Sequence, residues 1–235
     1  MSIADNIKRV RERVAEAALT SGRDPRDITL VAAAKMNDAA RVREAIRAGA
    51  DAIGENRVQE MTAKLADGAY IGAPLHFIGH LQRNKVRDVV GKCDLIQSVG
   101  SAELLQSVAA RAVSLEICQN VLIEVNIGRE TQKSGFLPEM IGEALAIAEH
   151  SSNLRVVGLM AIPPADVEET LTMQYFDEMR NLFVDISAKK YDNIAMRILS
   201  MGMSADYPAA IRSGATMVRV GSAIFGARDT LQRPE

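Results

Sequence analysis

The chain has 235 residues, 48% of them apolar and 25% charged, with a formal net charge of −2. That apolar share excludes a disordered chain, the near-neutral balance excludes a general pull on nucleic acid or an anionic membrane, and no run approaches the roughly 20 apolar residues of a membrane-spanning helix. Cys93 and Cys118 are too few for a disulfide framework or a metal cluster and read as reduced packing residues, and without a signal-peptide pattern at the N-terminus the expected location is cytoplasmic.

Ile3, Ile7, Val10 and Val14 recur at helical spacing and predict an extra helix before the first strand. The run Ile28 to Lys35 follows as an apolar strand ending in an amine. Its period of two puts Thr29, Val31, Ala33 and Lys35 on one face and Leu30, Ala32 and Ala34 on the other.

Helical patterns at 39–48, 57–66, 83–91, 101–117, 138–150, 166–189 and 207–213 then alternate with candidate strands at 51–56, 75–80, 95–100, 120–127, 156–162, 197–203 and 217–225. Glycines 49, 91 and 214 mark helix exits, and Asp166 with Glu169 has the spacing of a capping box opening a helix with Phe176, Met179, Phe183 and Ile186 as its buried stripe. Strict βα alternation implies a parallel sheet, and about eight strands favour a single α/β domain over 1–235, a closed (β/α)₈ TIM barrel. A doubly wound dinucleotide fold would want Gly-x-Gly-x-x-Gly after the first strand, which Ala33-Ala34-Lys35-Met36-Asn37-Asp38 does not provide.

Barrel sites lie at the C-terminal strand ends, which here carry Lys35, Asn56, His80, Ser98, Asn126, Ser200 to Ser204 and Arg219 to Ser222. In 121–126 the outward parity of Val121, Ile123 and Val125 turns Glu124 and Asn126 inward. In 217–221 the two valines turn Arg219 inward, where a guanidinium needs an acceptor. That acceptor is either a ligand or Glu124, and the two readings are compatible.

Two glycine-bearing stretches suit an anion: Ser200-Met201-Gly202-Met203-Ser204, which runs into a helix N-terminus, and Arg219-Val220-Gly221-Ser222. An amine with a phosphate cradle across the rim describes a site for a phosphorylated aldehyde held as a Schiff base. Pyridoxal 5′-phosphate fits, with Arg219 facing the ring nitrogen and keeping it unprotonated. His76 and His80, four residues apart on a strand and so about 13 Å apart, cannot share a metal ion and read as structural. The basic run 82–87 reads as the solvated start of a helix, and Lys133 is a second amine near the rim.

Val31-Ala32-Ala33-Ala34-Lys35, Gly54-Glu55-Asn56-Arg57-Val58-Gln59-Glu60, His76-Phe77-Ile78-Gly79-His80-Leu81-Gln82-Arg83-Asn84-Lys85, Gly158-Leu159-Met160, Ser200 to Ser204 with Asp206, and Arg219 to Gly226 together resemble the YggS/PROSC family of pyridoxal phosphate homeostasis proteins, whose fold is similar to the barrel of alanine racemase. The likeness spans nearly the whole chain, departing at Leu75, where the family usually has an aromatic residue. It implies that Lys35 is the imine lysine, that Asn56 lies beside the cofactor, that Arg219 faces the ring nitrogen, and that Ser204, Gly221 and Ser222 hold the phosphate, with Ser200 and Met201 in the same loop. It also implies a carrier role in vitamin B6 balance without established turnover, with apo pyridoxal-phosphate enzymes as receivers.

A racemase needs a second acid-base group besides the lysine, which in alanine racemase comes from an added β domain. Only about ten residues follow the last predicted strand, so such a domain, and the dimer it would favour, is not expected; a monomer is. The alternative is an enzyme, either an amino-acid racemase of narrow scope or a Schiff-base aldolase, with Tyr70, Tyr175, Tyr191 or Tyr207 as the acid-base group.

Overall fold

A computed structural model describes residues 1–226. Its eight parallel strands close into one barrel in chain order: β1 (Thr29–Ala33), β2 (Ala52–Glu55), β3 (Leu75–Phe77), β4 (Leu95–Val99), β5 (Gln119–Val125), β6 (Leu154–Ala161), β7 (Ile194–Ser200) and β8 (Met217–Val220). Helices α2 (Ala39–Arg47), α3 (Val58–Ala66), α4 (Val86–Val89), α5 (Ala102–Ser114), α6 (Ile141–Glu149), α7 (Glu169–Ser187) and α8 (Tyr207–Arg212) return the chain between strands, and α9 (Ser222–Phe225) follows β8. Residues 227–235, part of the expected single domain, lie outside the described residues. Among the described residues no helix is long and apolar enough to cross a membrane.

The extra helix α1 (Ile3–Thr20) starts at a capping box in which Ser2 Oγ accepts from the Asp5 N–H and the Asp5 carboxylate accepts from the Ser2 N–H. Its stripe Ile3, Ile7, Val10 and Val14 is buried against α8, α9 and α2. Asn6 Nδ2 donates to the Ile224 carbonyl at 2.8 Å, so α1 completes the helical ring where α9 alone would leave a gap.

The barrel separates two apolar layers. Leu30, Ala32, Val121, Ile123, Val125, Val218 and Val220 belong to the outer core beneath the helices, whereas Val31, Ala52, Leu95, Leu122, Val157, Met160 and Met217 fill the interior. This is the predicted inward and outward parity of β1, β5 and β8. In β6 both Val157 and Met160 face inward because the register shifts at Gly158, where a Cβ would lie 1.8 Å from the Ile198 carbonyl oxygen.

Several boundaries differ from expectation. β1 stops at Ala33, two residues short of Lys35, and β3 stops at Phe77, leaving His80 exposed between the buried Gly79 and Leu81. The stretch expected to continue β8 to 225 folds after Val220 into α9, because Gly221 turns the chain. Asp166 does not cap α7: that helix begins at Glu169, and Asp166 itself has a φ of 60°. Phe176, Met179 and Ile186 are buried as expected, while Phe183 is only partly so. Cys93 is buried, but Cys118 is exposed and does not pack.

Candidate functional site

The backbone after β1 turns at once. Ala34 N–H donates to the Gly54 carbonyl at 2.8 Å and Asn37 N–H to the Ala34 carbonyl at 3.0 Å, which leaves Lys35 and Met36 as the two central residues of the turn. Met36 has a φ of 61°, a conformation costly for a residue with a Cβ, so the turn must be held from outside. α3 holds it. Glu60 Oε2 accepts from the Met36 N–H at 2.8 Å, and Lys64 Nζ donates to the Ala34 carbonyl at 3.2 Å.

Lys64 is itself fixed by Glu55 Oε1 at 2.6 Å, which also accepts from Tyr70 OH at 3.0 Å. Burial raises the Glu55 carboxyl above its ordinary range even against these donors. Lys35 is half-buried at this turn and forms no ion pair among the described residues.

The two glycine-bearing turns meet on the next strands. Arg219 N–H donates to the Gly202 carbonyl at 3.0 Å, which pins the end of β7 to β8. Gly202 has a φ of 91°, and a Cβ there would lie 2.6 Å from the Ala210 Cβ, so no other residue fits between the turn and α8. Ser204 Oγ accepts from the N–H groups of both Gly221 and Ala223, at 3.1 and 3.3 Å. Those two donors converge on one oxygen.

Gly221 lies against Ala33, continuing the register that pairs Ala32 with Val220. The lysine turn and the donor turn are therefore neighbours. Ser222 is exposed at the start of α9. Met201 sits in the outer apolar core, so that only its backbone faces this loop.

Arg219 is 4% exposed and points inward as predicted. The expected alternative, an ion pair with Glu124, is not formed. Instead Arg219 Nη1 donates to Ser200 Oγ at 2.5 Å and Nη2 to the Ala161 carbonyl at 3.0 Å. Burial lowers the Arg219 pKa to about 10, which still leaves it charged near neutral pH. Burial also raises the Glu124 carboxyl, opposed by a hydrogen bond from Ser134 and by the Arg219 charge.

The other half of the rim opens as a cleft of about 450 Å³, with Asn56, His80, Glu124, Asn126 and Lys133 among its lining residues. Of the residues expected to hold the cofactor, Asn56, after β2, alone is in that lining, together with the strand-end candidates His80 and Asn126 and the rim amine Lys133. Lys35, Ser200, Met201, Ser204, Arg219, Gly221 and Ser222 belong to the β7, β8 and β1 side. Lys133 is held there by Glu130 at 2.5 Å and donates to the Pro163 carbonyl at 3.4 Å.

Behind Arg219 stand polar partners that the strand pattern alone does not announce. Ser200 Oγ donates to Gln97 Oε1 at 2.7 Å, and Gln97 Nε2 meets His76 Nδ1 at 3.0 Å. The available signal was parity: Gln97 lies two residues after the inward Leu95, and His76 lies between the outward Leu75 and Phe77. His76 is a buried, hydrogen-bonded histidine, as expected of a structural one, whereas His80 is exposed.

The family described as Alanine racemase, N-terminal domain, matches residues 2–229. A Pseudomonas aeruginosa protein named pyridoxal phosphate homeostasis protein is 40% identical over 228 residues, covering 97% of this chain and 96% of its own. The structure of PipY from Synechococcus elongatus PCC7942, solved with pyridoxal phosphate bound, is 32% identical with a TM-score of 0.79 over 92% of this chain and all of that one (100%). An alanine racemase from Clostridium difficile 630 shares the fold, with a TM-score of 0.68 at 17% identity, over 97% of this chain and 58% of its own.

Proposed function

The chain belongs to the alanine racemase N-terminal domain family and, within it, to the pyridoxal phosphate homeostasis proteins, and on that premise we propose that it binds pyridoxal 5′-phosphate through the Lys35 amine and acts in the balance of that cofactor. One observation carries the reading: the Lys35 turn adjoins the Gly221 turn at the β1–β8 seam, so the segment bearing an amine is next to a pair of converging N–H donors.

The residues present fit the group. Two backbone N–H groups already aim at the Ser204 hydroxyl oxygen, an arrangement that an anionic oxygen can enter. Arg219 is buried with no carboxylate in contact among the described residues, so it can offer hydrogen bonds to a neutral ring nitrogen. When bound, the cofactor supplies an aldehyde for the lysine amine and a ring that can draw electron density from an attached amino acid. Asn56 stands at the seam between the lysine side and the cleft and would line the ring.

A carrier role is favoured over turnover by the state of Arg219 and of two of the four candidate tyrosines, Tyr70 and Tyr207. Arginine cannot hand a proton to a ring nitrogen, which weakens carbanion chemistry. Tyr70 OH is committed to Glu55, and burial raises its pKa further. The Tyr207 ring lies buried beneath the Arg13 guanidinium, 5.5 Å away. Neither tyrosine is poised for a second proton transfer of the kind a racemase requires.

The deciding experiment is borohydride reduction of the purified protein followed by peptide mass spectrometry. A pyridoxyl group on Lys35 is expected; a reduced adduct on another lysine, or none, would overturn the reading. Multiple-turnover deuterium exchange at the Cα of an added amino acid in heavy water would replace the carrier role with a racemase.

A further inference from the structure

We propose that Gln97 and His76 are positioning residues for Arg219, holding its guanidinium toward the ring nitrogen through a one-way hydrogen-bond chain across the barrel interior. This rests on the cofactor reading above. The chain links β8, β7, β4 and β3: Arg219 Nη1 to Ser200 Oγ at 2.5 Å, Ser200 Oγ to Gln97 Oε1 at 2.7 Å, and Gln97 Nε2 to His76 Nδ1 at 3.0 Å.

Its direction follows from the chemistry of the first link. A guanidinium only donates, so Ser200 Oγ must accept from it, and the single serine hydrogen is then free for Gln97 Oε1. Gln97 is the only other side-chain partner of Ser200 Oγ among the described residues, so that hydrogen finds an acceptor only if the amide oxygen faces Ser200 and the amide nitrogen faces His76. The same nitrogen lies 3.2 Å from Met217 Sδ, so both of its hydrogens are engaged. His76 Nδ1 must therefore accept, which makes the imidazole neutral with its hydrogen on Nε2. Burial favours the same state, holding the His76 pKa down at about 4.

The surroundings show what the chain is for. Val31, Leu95, Leu122, Met160 and Met217 make the barrel interior apolar, and apolar residues of similar shape at Gln97 and His76 would pack there with only the buried Ser200 hydroxyl hydrogen left unpaired. What such a core could not do is orient Ser200. Without Gln97 the serine hydroxyl is free to rotate, and Arg219 keeps only the Ala161 carbonyl as a fixed acceptor. Two of its five N–H groups are spent on Ser200 and Ala161, which fixes the plane in which the others meet a ligand.

The test has two arms. In ligand-free protein, ¹⁵N NMR of the imidazole should show His76 as the neutral Nε2–H tautomer, and Gln97→Leu should shift the Nδ1 resonance as its hydrogen-bond donor is lost; an Nδ1–H tautomer in the wild type, or an unmoved Nδ1 resonance in the variant, overturns the chain. In cofactor-loaded protein, Gln97→Leu should shift the visible absorption band and raise the cofactor Kd about tenfold. Gln97→Glu keeps an acceptor for Ser200 but loses the N–H that His76 Nδ1 accepts, so it should raise the Kd less than the leucine variant while moving the imidazole hydrogen to Nδ1; wild-type Kd and tautomer in this variant would overturn the chain, and it answers the question should the leucine variant fail to fold. A merely structural role predicts a lowered Tm with band and Kd unchanged, and that result overturns the proposal while a Lys35 adduct in the wild type leaves the cofactor reading standing. Absence of any Lys35 adduct in the wild type overturns both.

Discussion

Gly221 stands directly against Ala33: a Cβ built on the glycine would lie 3.3 Å from the Ala33 carbonyl oxygen and 3.5 Å from its Cβ. The contact is made across the β1–β8 seam, where the barrel closes, and it sets the distance between the lysine turn and the donor turn. A substitution that widens it should separate the two halves of the site. Gly221→Val is expected to weaken cofactor binding at least tenfold and to cost about 1–2 kcal/mol of stability, because the carbonyl it would crowd is backbone and gives little. Parallel Kd and urea-unfolding measurements check this; tight binding by the variant would show that the seam has slack.

Lys35→Ala removes the amine at a half-buried turn outside both apolar layers. The fold should survive with a stability change within about 0.5 kcal/mol, while the visible band of the bound cofactor disappears. Circular dichroism and absorption on the same sample separate the two effects.

The pair behind the turn is a different case. Lys64→Met leaves the Glu55 carboxyl, 0% exposed, without its ammonium partner and frees the Ala34 carbonyl. A loss of about 3 kcal/mol is expected, since an unpaired buried charge is much costlier than an absent pair. Tyr70→Phe removes one donor from the same carboxylate and should cost about 1 kcal/mol. Adding Glu55→Gln to Lys64→Met should recover much of the loss, and chemical denaturation of the three variants measures it.

His76 gives a pH signature. Its pKa falls from 6.5 to about 4 on folding, so the unfolded chain binds a proton that the native state refuses between those values. Its neutral form therefore supports stability above pH 6.5, and that support is lost as the pH drops toward 4. Glu55 and Glu124, raised by burial, work in the opposite sense and favour the fold as pH falls. They are common to wild type and His76→Gln. The stability difference between those two proteins should therefore move by about 3 kcal/mol against the wild type from pH 7 to pH 4; a flat difference would mean that folding leaves the His76 pKa where it stands in the unfolded chain.

Much of the candidate site was legible in the strand pattern. Leu122, Glu124 and Asn126 alternate with Val121, Ile123 and Val125, and that alternation alone pointed the carboxylate inward, just as Val218 and Val220 pointed Arg219 inward. The pleat is a local property, so a few consecutive residues suffice to read it. Where the chain leaves regular structure the reading failed: β1 ends before Lys35 because Glu60 and Lys64, from another helix, capture the turn's backbone, and no spacing rule announces a partner from α3.

The amino-acid order by itself determined the alternation of strands and helices, the faces each strand turns inward, and the placing of an amine and two glycine-bearing turns at strand ends. Only the closed barrel decided which of those ends adjoin and which interior side chains touch. Gln97 reaches Ser200, and Gly221 reaches Ala33, because closure and stagger bring together strands far apart along the chain. Pleating is dictated residue by residue, whereas neighbourhood in a ring is dictated by the register of all its strands at once.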